Sequence, residues 1–100
     1  NIESNIKYYR KDLADKILIC CEIPGLSKEN CKIKYSNKML TVSGTSSFTD
    51  KWDFVKNKEY YLQLDIGNRT NNDIKVKYEH GLLKIHIKIN EEVTSNIDID

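Results

Sequence analysis

Alanine is almost missing from this sequence: Ala14 is the only one. Alanine is the strongest helix former, so its scarcity argues against a helical bundle. Proline occurs once and glycine four times, too few for a linker-like chain or a phosphate-cradling glycine loop. No apolar run approaches the roughly 20 residues of a membrane span, and no secretory leader pattern is visible. The first residue is Asn1 rather than methionine, from which a preceding N-terminal segment is expected. The three cysteines, Cys20, Cys21 and Cys31, are odd in number and lack framework spacing. Both features argue against a secreted disulfide scaffold. Adjacent Cys20 and Cys21 point to opposite faces of a strand and are poor partners for one metal. Reduced structural thiols in a cytoplasmic protein are expected.

Net charge is also small: 16 Lys and Arg stand against 15 Asp and Glu. A nucleic-acid binder carries a clear basic excess, so nucleic acid is not the expected partner. The charge is nevertheless uneven. Residues 90–100 hold four acids and no base, so this end carries −4 and the remainder of a +1 chain carries +5. A basic body and an acidic tail are able to associate, within one chain or between two.

What is present is strand chemistry. One hundred residues make one domain, and thirteen of them are isoleucine, whose β-branched side chain suits a pleated sheet. Short apolar runs of period two alternate with turn residues. Ile17, Ile19, Cys21 and Ile23 share one face while Leu18 and Cys20 fill the other, up to the Pro24-Gly25 turn. Cys31, Ile33 and Tyr35 alternate with lysines, Asn37-Lys38 turns the chain, and Leu40 and Val42 continue to Gly44. Tyr60, Leu62, Leu64 and Ile66 form a further face. Ile74, Val76 and Tyr78 alternate with Lys75, Lys77 and Glu79, then His80-Gly81 turns into Leu83, Ile85, Ile87 and Ile89. Six or seven strands without a convincing helix predict an all-β, antiparallel, immunoglobulin-like sandwich. Residues 1–11 read as a lead-in or edge strand, 12–89 as the sandwich, and 90–100 as a C-terminal extension. Residues 45–58 are the least regular stretch, with Trp52, Phe54 and Val55 among polar neighbours.

Catalytic chemistry is not evident. His80 sits in a turn and His86 on the lysine side of a strand, neither with a nucleophile and carboxylate beside it in sequence. No cofactor motif or metal-ligand spacing appears, so no enzyme, cofactor or metal is expected.

Four motifs in order resemble the small heat-shock protein (Hsp20, α-crystallin domain) family. Pro24-Gly25-Leu26 follows an apolar strand, as in the family's proline-glycine-leucine signature. Leu40-Thr41-Val42-Ser43-Gly44 looks like its next strand, and Ile74-Lys75-Val76 with Gly81-Leu82-Leu83 like its late hairpin. Ile97-Asp98-Ile99 looks like its C-terminal isoleucine-x-isoleucine docking motif. Two departures stand out. Leu62 occupies the apparent place of a family arginine, and Gly67 that of a family proline.

The resemblance implies a dimeric building block that assembles further. It also implies a groove between the strands of Cys31–Tyr35 and Ile74–Tyr78, where Ile33, Tyr35, Ile74 and Val76 receive a tail or a client. Ile97 and Ile99 project on one side of an extended tail and together bring about 3–6 kcal/mol of apolar burial before ordering costs. Trp52, Phe54 and Val55 are a candidate dimer contact as a short exchanged strand; the alternative is that they cover the edge of their own domain. The function implied is an ATP-independent holdase for partly unfolded proteins. The alternative is a monomeric co-chaperone adaptor of similar sandwich fold, bound to an ATP-driven chaperone and not needing the isoleucine pair.

Overall fold

The computed structural model describes residues 3–89 and 97–100. Its described part is all-β: seven strands, three single 3₁₀ turns and no α-helix among the described residues. The strands are β1 (Lys7–Asp12), β2 (Lys16–Glu22), β3 (Lys32–Ser36), β4 (Met39–Thr45), β5 (Glu59–Asp65), β6 (Ile74–Glu79) and β7 (Leu82–Lys88). They form two antiparallel sheets, ordered β1-β2-β7-β6 and β3-β4-β5. The sandwich expected from the alternation is the fold observed. Lys7–Asp12 takes the edge-strand alternative for the lead-in.

Turn residues set the registers. Gly25, at φ +83°, follows Pro24, and the Leu26 amide donates to the Ile23 carbonyl. This closes a turn that needs proline's fixed φ first and a positive φ second. Asn37 and Lys38 both have positive φ and join Ser36 to its partner Met39. His80 and Gly81 do the same between Glu79 and Leu82. Positive φ at both central positions matches the twist of flanking strands, and so favours two-residue hairpins.

Inward side chains of both sheets make one core. Ile17, Ile19, Cys21 and Ile23 lie against Leu83, Ile85 and Ile87 within one sheet, and face Leu40, Val42, Tyr60 and Leu62 of the other. Each fully buried aliphatic side chain contributes about 1.5–3 kcal/mol. Leu62 is thus a core residue, and a charge at that inward position would be desolvated.

One side of the sandwich is sewn shut. The Asn5 amide donates to the Tyr61 carbonyl, the Asn5 side chain accepts from the Tyr61 amide, and its amide group donates to the Glu59 carbonyl. Arg10 adds a bond from β1 to the Asp65 carbonyl at 2.8 Å. These contacts cover the free edge of β5. On the opposite side, β3 pairs only with β4 and β6 only with β7 among the described residues, so two unpaired edges face outward together.

Candidate binding site

The inward side chains of β3 and β6 form the walls of the open side. Ile33 pairs with buried Val42, and Tyr35 with buried Leu40. Ile74 pairs with buried Ile87, and Val76 with buried Ile85. All four therefore point toward the space between the sheets. Ile33, Tyr35 and Ile74 are half-buried against the core, while Val76 is 40% exposed. The sequence-expected residues stand on two neighbouring sheet edges with apolar surface left over. An unpaired strand edge beside such surface is a template for an added extended segment.

Two tyrosines fix these walls. Tyr35 Oη donates to the Gly67 carbonyl at 2.6 Å and accepts from the Arg69 amide at 2.7 Å, tying β3 to the loop before β6. Tyr78 Oη donates to the Leu26 carbonyl at 2.6 Å, tying β6 to the loop before β3. The sequence reading placed both as apolar strand residues and missed that each phenol anchors the opposite sheet. A tyrosine among aliphatics at the end of a strand is the signal, because a buried hydroxyl seeks a partner.

The outward face of the four-stranded sheet was not anticipated. Strand parity puts Lys7 and Lys11 of β1, Lys16 of β2, Lys84 and Lys88 of β7, and Lys75 and Lys77 of β6 on this face, against Glu22 and Glu79. The corresponding face of the other sheet is balanced, with Lys32 and Lys34 against Glu59 and Asp65. Within the basic face lies a shallow basin of about 550 Å³, floored by Tyr9, Leu18 and Cys20 and rimmed by Lys11, Lys75, Lys77 and Lys84. Leu18 and Cys20 are the second apolar face noted in the sequence. Their concave surroundings were not legible there, because β2 and β7 pair across some sixty residues of chain. Glu79 accepts from Lys77 at 3.3 Å and lies 3.8 Å from Lys84. The hydrogen bond from Lys77, more than the neighbouring charges of Lys84 and His80, holds its carboxyl below the usual range.

The stretch between β4 and β5 forms no strand. It is closed at its base by the Ser46 amide to the Lys58 carbonyl and the Lys58 amide to Ser46 Oγ. Asp50–Trp52 is a 3₁₀ turn. The Trp52 and Phe54 rings lie 5.9 Å apart, with Trp52 56% and Phe54 74% exposed, so neither covers the edge of its own domain. Val55 is half-buried. Ile97 and Ile99 are 87% and 97% exposed, so their own domain leaves them uncovered. The rest of the expected extension, residues 90–96, lies outside the described residues.

Burial pushes the Cys21 thiol up to about 12, while Cys31 is raised by the same cause. All three thiols are free. Among the described residues no three His, Cys, Asp or Glu side chains gather as a metal site, and no helix is long and apolar enough to cross a membrane.

Comparison with known proteins converges on one family. The sequence model of the Hsp20/alpha crystallin family matches residues 9–100. A curated relative, heat shock protein HSP.16.4 of Streptococcus thermophilus, is 25% identical over 112 residues, covering 100% of this chain and 79% of the relative. Heat shock protein 16.0 from Schizosaccharomyces pombe superposes with a TM-score of 0.72 at 18% identity, over 98% of each chain. HSP18.5 from E. histolytica does so with a TM-score of 0.68 at 20% identity, over 94% of this chain and 97% of its own.

Proposed function

The chain belongs to the Hsp20/alpha crystallin family of small heat-shock proteins, and from that premise we propose that it is an ATP-independent holdase whose furrow between β3 and β6 captures extended apolar segments. The observation that carries this reading is the pair of unpaired edges on one side of the sandwich, with Ile33, Tyr35, Ile74 and Val76 between them. An unfolding client exposes apolar segments with free backbone groups. The furrow offers both apolar contact and a hydrogen-bonding edge, and needs no nucleotide to do so. Holding a client is a binding task and calls for no catalytic group.

The same furrow suits the protein's own tail. Ile97 and Ile99 are uncovered, and in an extended tail their side chains would project on one side. Each such contact is weak once the tail's ordering cost is subtracted, yet many contacts in one assembly add up. A homodimer that assembles further is the form this reading expects. The exposed Trp52 and Phe54, with Val55, supply a dimer contact. The free thiols suit a cytoplasmic location.

The test is suppression of heat- or reductant-induced aggregation of a model client without nucleotide. Suppression is expected from the wild type and loss of it from Ile33→Asp/Val76→Asp, with the sheet intact by circular dichroism. Equal suppression by both would remove the furrow from the mechanism. No suppression by either would remove the holdase reading itself.

A further inference from the structure

Strand β2 is apolar on both faces, although only one of them meets the core. Ile17, Ile19 and Cys21 are buried, while Leu18 and Cys20 look outward and are half-buried. A strand apolar on both sides belongs where both sides are covered. At outward positions of β4, the central strand of the other sheet, stand Thr41 and Ser43 instead. The outward side of β2 is where the lysine-rimmed basin lies.

Strand pairing arranges the basin in two rows. Tyr9, Cys20, Lys84 and Lys77 make one row across the sheet, and Lys11, Leu18, His86 and Lys75 make the next. The basin is therefore two-ended. Over β1 and β2 it is largely apolar, and over β7 and β6 it bears Lys84, Lys77 and Lys75. Neighbouring strands lie about 4.8 Å apart, so one small molecule reaches both ends. No carboxylate lines the basin. Glu79, in the adjoining row, meets Lys77 and Lys84, whereas Lys75 has no ion-pair partner among the described residues.

We propose that this basin is a binding site for a long-chain anionic amphiphile, in its simplest form a fatty carboxylate. Its acyl chain lies on Tyr9, Leu18 and Cys20, and its head sits between Lys75 and Lys84. The site is on the outward face of the four-stranded sheet, so it does not depend on the furrow or on holdase activity.

Charge and shape choose this occupant. The basin's volume of about 550 Å³ falls in the usual range for small-molecule sites, which pair an apolar lining with a few orienting polar groups. A polyanion such as nucleic acid would engage the lysines and leave the apolar floor in water. A neutral apolar ligand would cover the floor and leave the ammonium groups unanswered. A second copy cannot close the basin with its own matching face, because that would set seven lysines against seven. An anionic head on an acyl chain is offered by a free fatty carboxylate and by an acidic phospholipid. The hollow form favours the free molecule, since a flat bilayer surface would meet the lysine rim before the floor.

The test uses the full chain and dodecanoate below its micelle-forming concentration. Iodoacetamide, an uncharged reagent, reports on Cys20, which the acyl chain would cover. Dodecanoate is expected to slow Cys20 labelling several-fold and leave Cys31 unchanged, while dodecyltrimethylammonium, of equal chain length, protects neither. Lys75→Gln/Lys84→Gln should raise the dodecanoate concentration needed by roughly 2- to 30-fold, the range for two exposed charge contacts. Lys32→Gln/Lys34→Gln, on the other sheet, should leave it unchanged. Cys20 labelling that dodecanoate does not slow overturns the site. Protection of Cys31 with Cys20 left reactive places the ligand in the furrow and overturns it too. Equal protection by the cationic amphiphile, or an unshifted Lys75→Gln/Lys84→Gln variant, overturns the role of the lysines. Sedimentation with phosphatidylglycerol vesicles, without protection by dodecanoate, makes the face a membrane contact in place of a small-molecule site.

Discussion

Leu26 and Gly44 meet where the loop between β2 and β3 crosses the three-stranded sheet: a β-carbon on Gly44 would stand 2.9 Å from Leu26 Cδ1 and hard against the Asn30 carbonyl oxygen. Leu26 is fully buried. The glycine that ends the Leu40–Gly44 motif therefore makes room for the leucine that ends the Pro24–Leu26 motif. Two signatures separated in sequence are one packing contact.

Gly44→Ala is expected to destabilise the fold by about 1–3 kcal/mol, the usual cost of overpacking a filled site. The neighbour is partly backbone and cannot rotate away. Chemical denaturation of the variant measures this, with Ser43→Ala, on the outward side of β4, as a control near zero. A Gly44→Ala protein as stable as wild type would show that the loop yields and that the contact does not constrain it.

The same loop is held from both sheets by phenols. Tyr60 Oη donates to the Pro24 carbonyl and Tyr78 Oη to the Leu26 carbonyl. Removing either hydroxyl costs about 0.5–1.5 kcal/mol, the net value of one such bond. Tyr78→Phe should also weaken client or tail binding several-fold, since it frees one wall of the furrow, whereas Tyr60→Phe should affect stability alone. Denaturation midpoints and aggregation suppression, measured side by side, separate the two effects.

Period-two alternation was enough to read the strands, because inward positions are mostly apolar and outward ones mostly polar along β3, β4, β6 and β7, with Met39 and Leu82 as the outward exceptions. The Pro24-Gly25, Asn37-Lys38 and His80-Gly81 turns were legible because their backbone conformations demand particular residues. The four wall residues were placed by family resemblance rather than by pattern, and their neighbourhood depends on which sandwich edge stays open. That choice is made by Asn5 and Arg10, whose bonds to β5 span more than fifty residues. Nothing local marks an asparagine as the stitch between two sheets. The basic face was hidden for a similar reason. Its lysines come from four strands whose order is β1-β2-β7-β6, and net charge over the whole chain conceals their gathering.

Acid should unfold the protein through a few identifiable carboxylates. Asp73 accepts from the Thr70 amide at 2.9 Å and from Thr70 Oγ1 at 3.1 Å, and the amide bond foremost holds its carboxyl below the usual range. Asp12, bonded by Arg10, and Glu79, bonded by Lys77, are lowered as well. A group depressed on folding contributes stability above its unfolded value and loses it as pH falls through the folded one. Stability is expected to hold from neutral pH to roughly pH 5 and to decline below about pH 4. Asp73→Asn should lower the melting temperature at neutral pH and flatten the acid decline. Melting curves across this range check both.

The thiols should react unequally. Cys21 is wholly buried and its thiol is pushed up to about 12, so it stays protonated and out of reach of an alkylating agent. Cys20, next in the chain but on the outward face, lies half-exposed in the floor of the lysine-rimmed basin. Iodoacetamide at mildly alkaline pH should label Cys20 first and leave Cys21 until the protein unfolds, as peptide mass spectrometry would reveal. Labelling of Cys21 at the rate of Cys20 would mean that β2 opens in the native state.

Trp52 is the single tryptophan, which makes the proposed dimer contact directly observable. It and Phe54 are exposed on a short turn held at its base by Ser46 and Lys58, so the domain's core does not depend on them. Trp52→Ala/Phe54→Ala should therefore change stability by no more than about 0.5 kcal/mol, as surface substitutions do. Their loss should nonetheless weaken self-association by tenfold or more, because aromatic anchors dominate interface energetics. Dilution of the wild type while following tryptophan emission gives the check. Burial between two copies shifts emission to shorter wavelength, and dissociation returns it to that of a wet indole. Emission that stays at the wet-indole position at every concentration, in a sample that light scattering shows to be associated, would place the dimer contact elsewhere. The same result would leave the aromatic pair free to meet clients, and the double variant's aggregation assay would then show the larger loss.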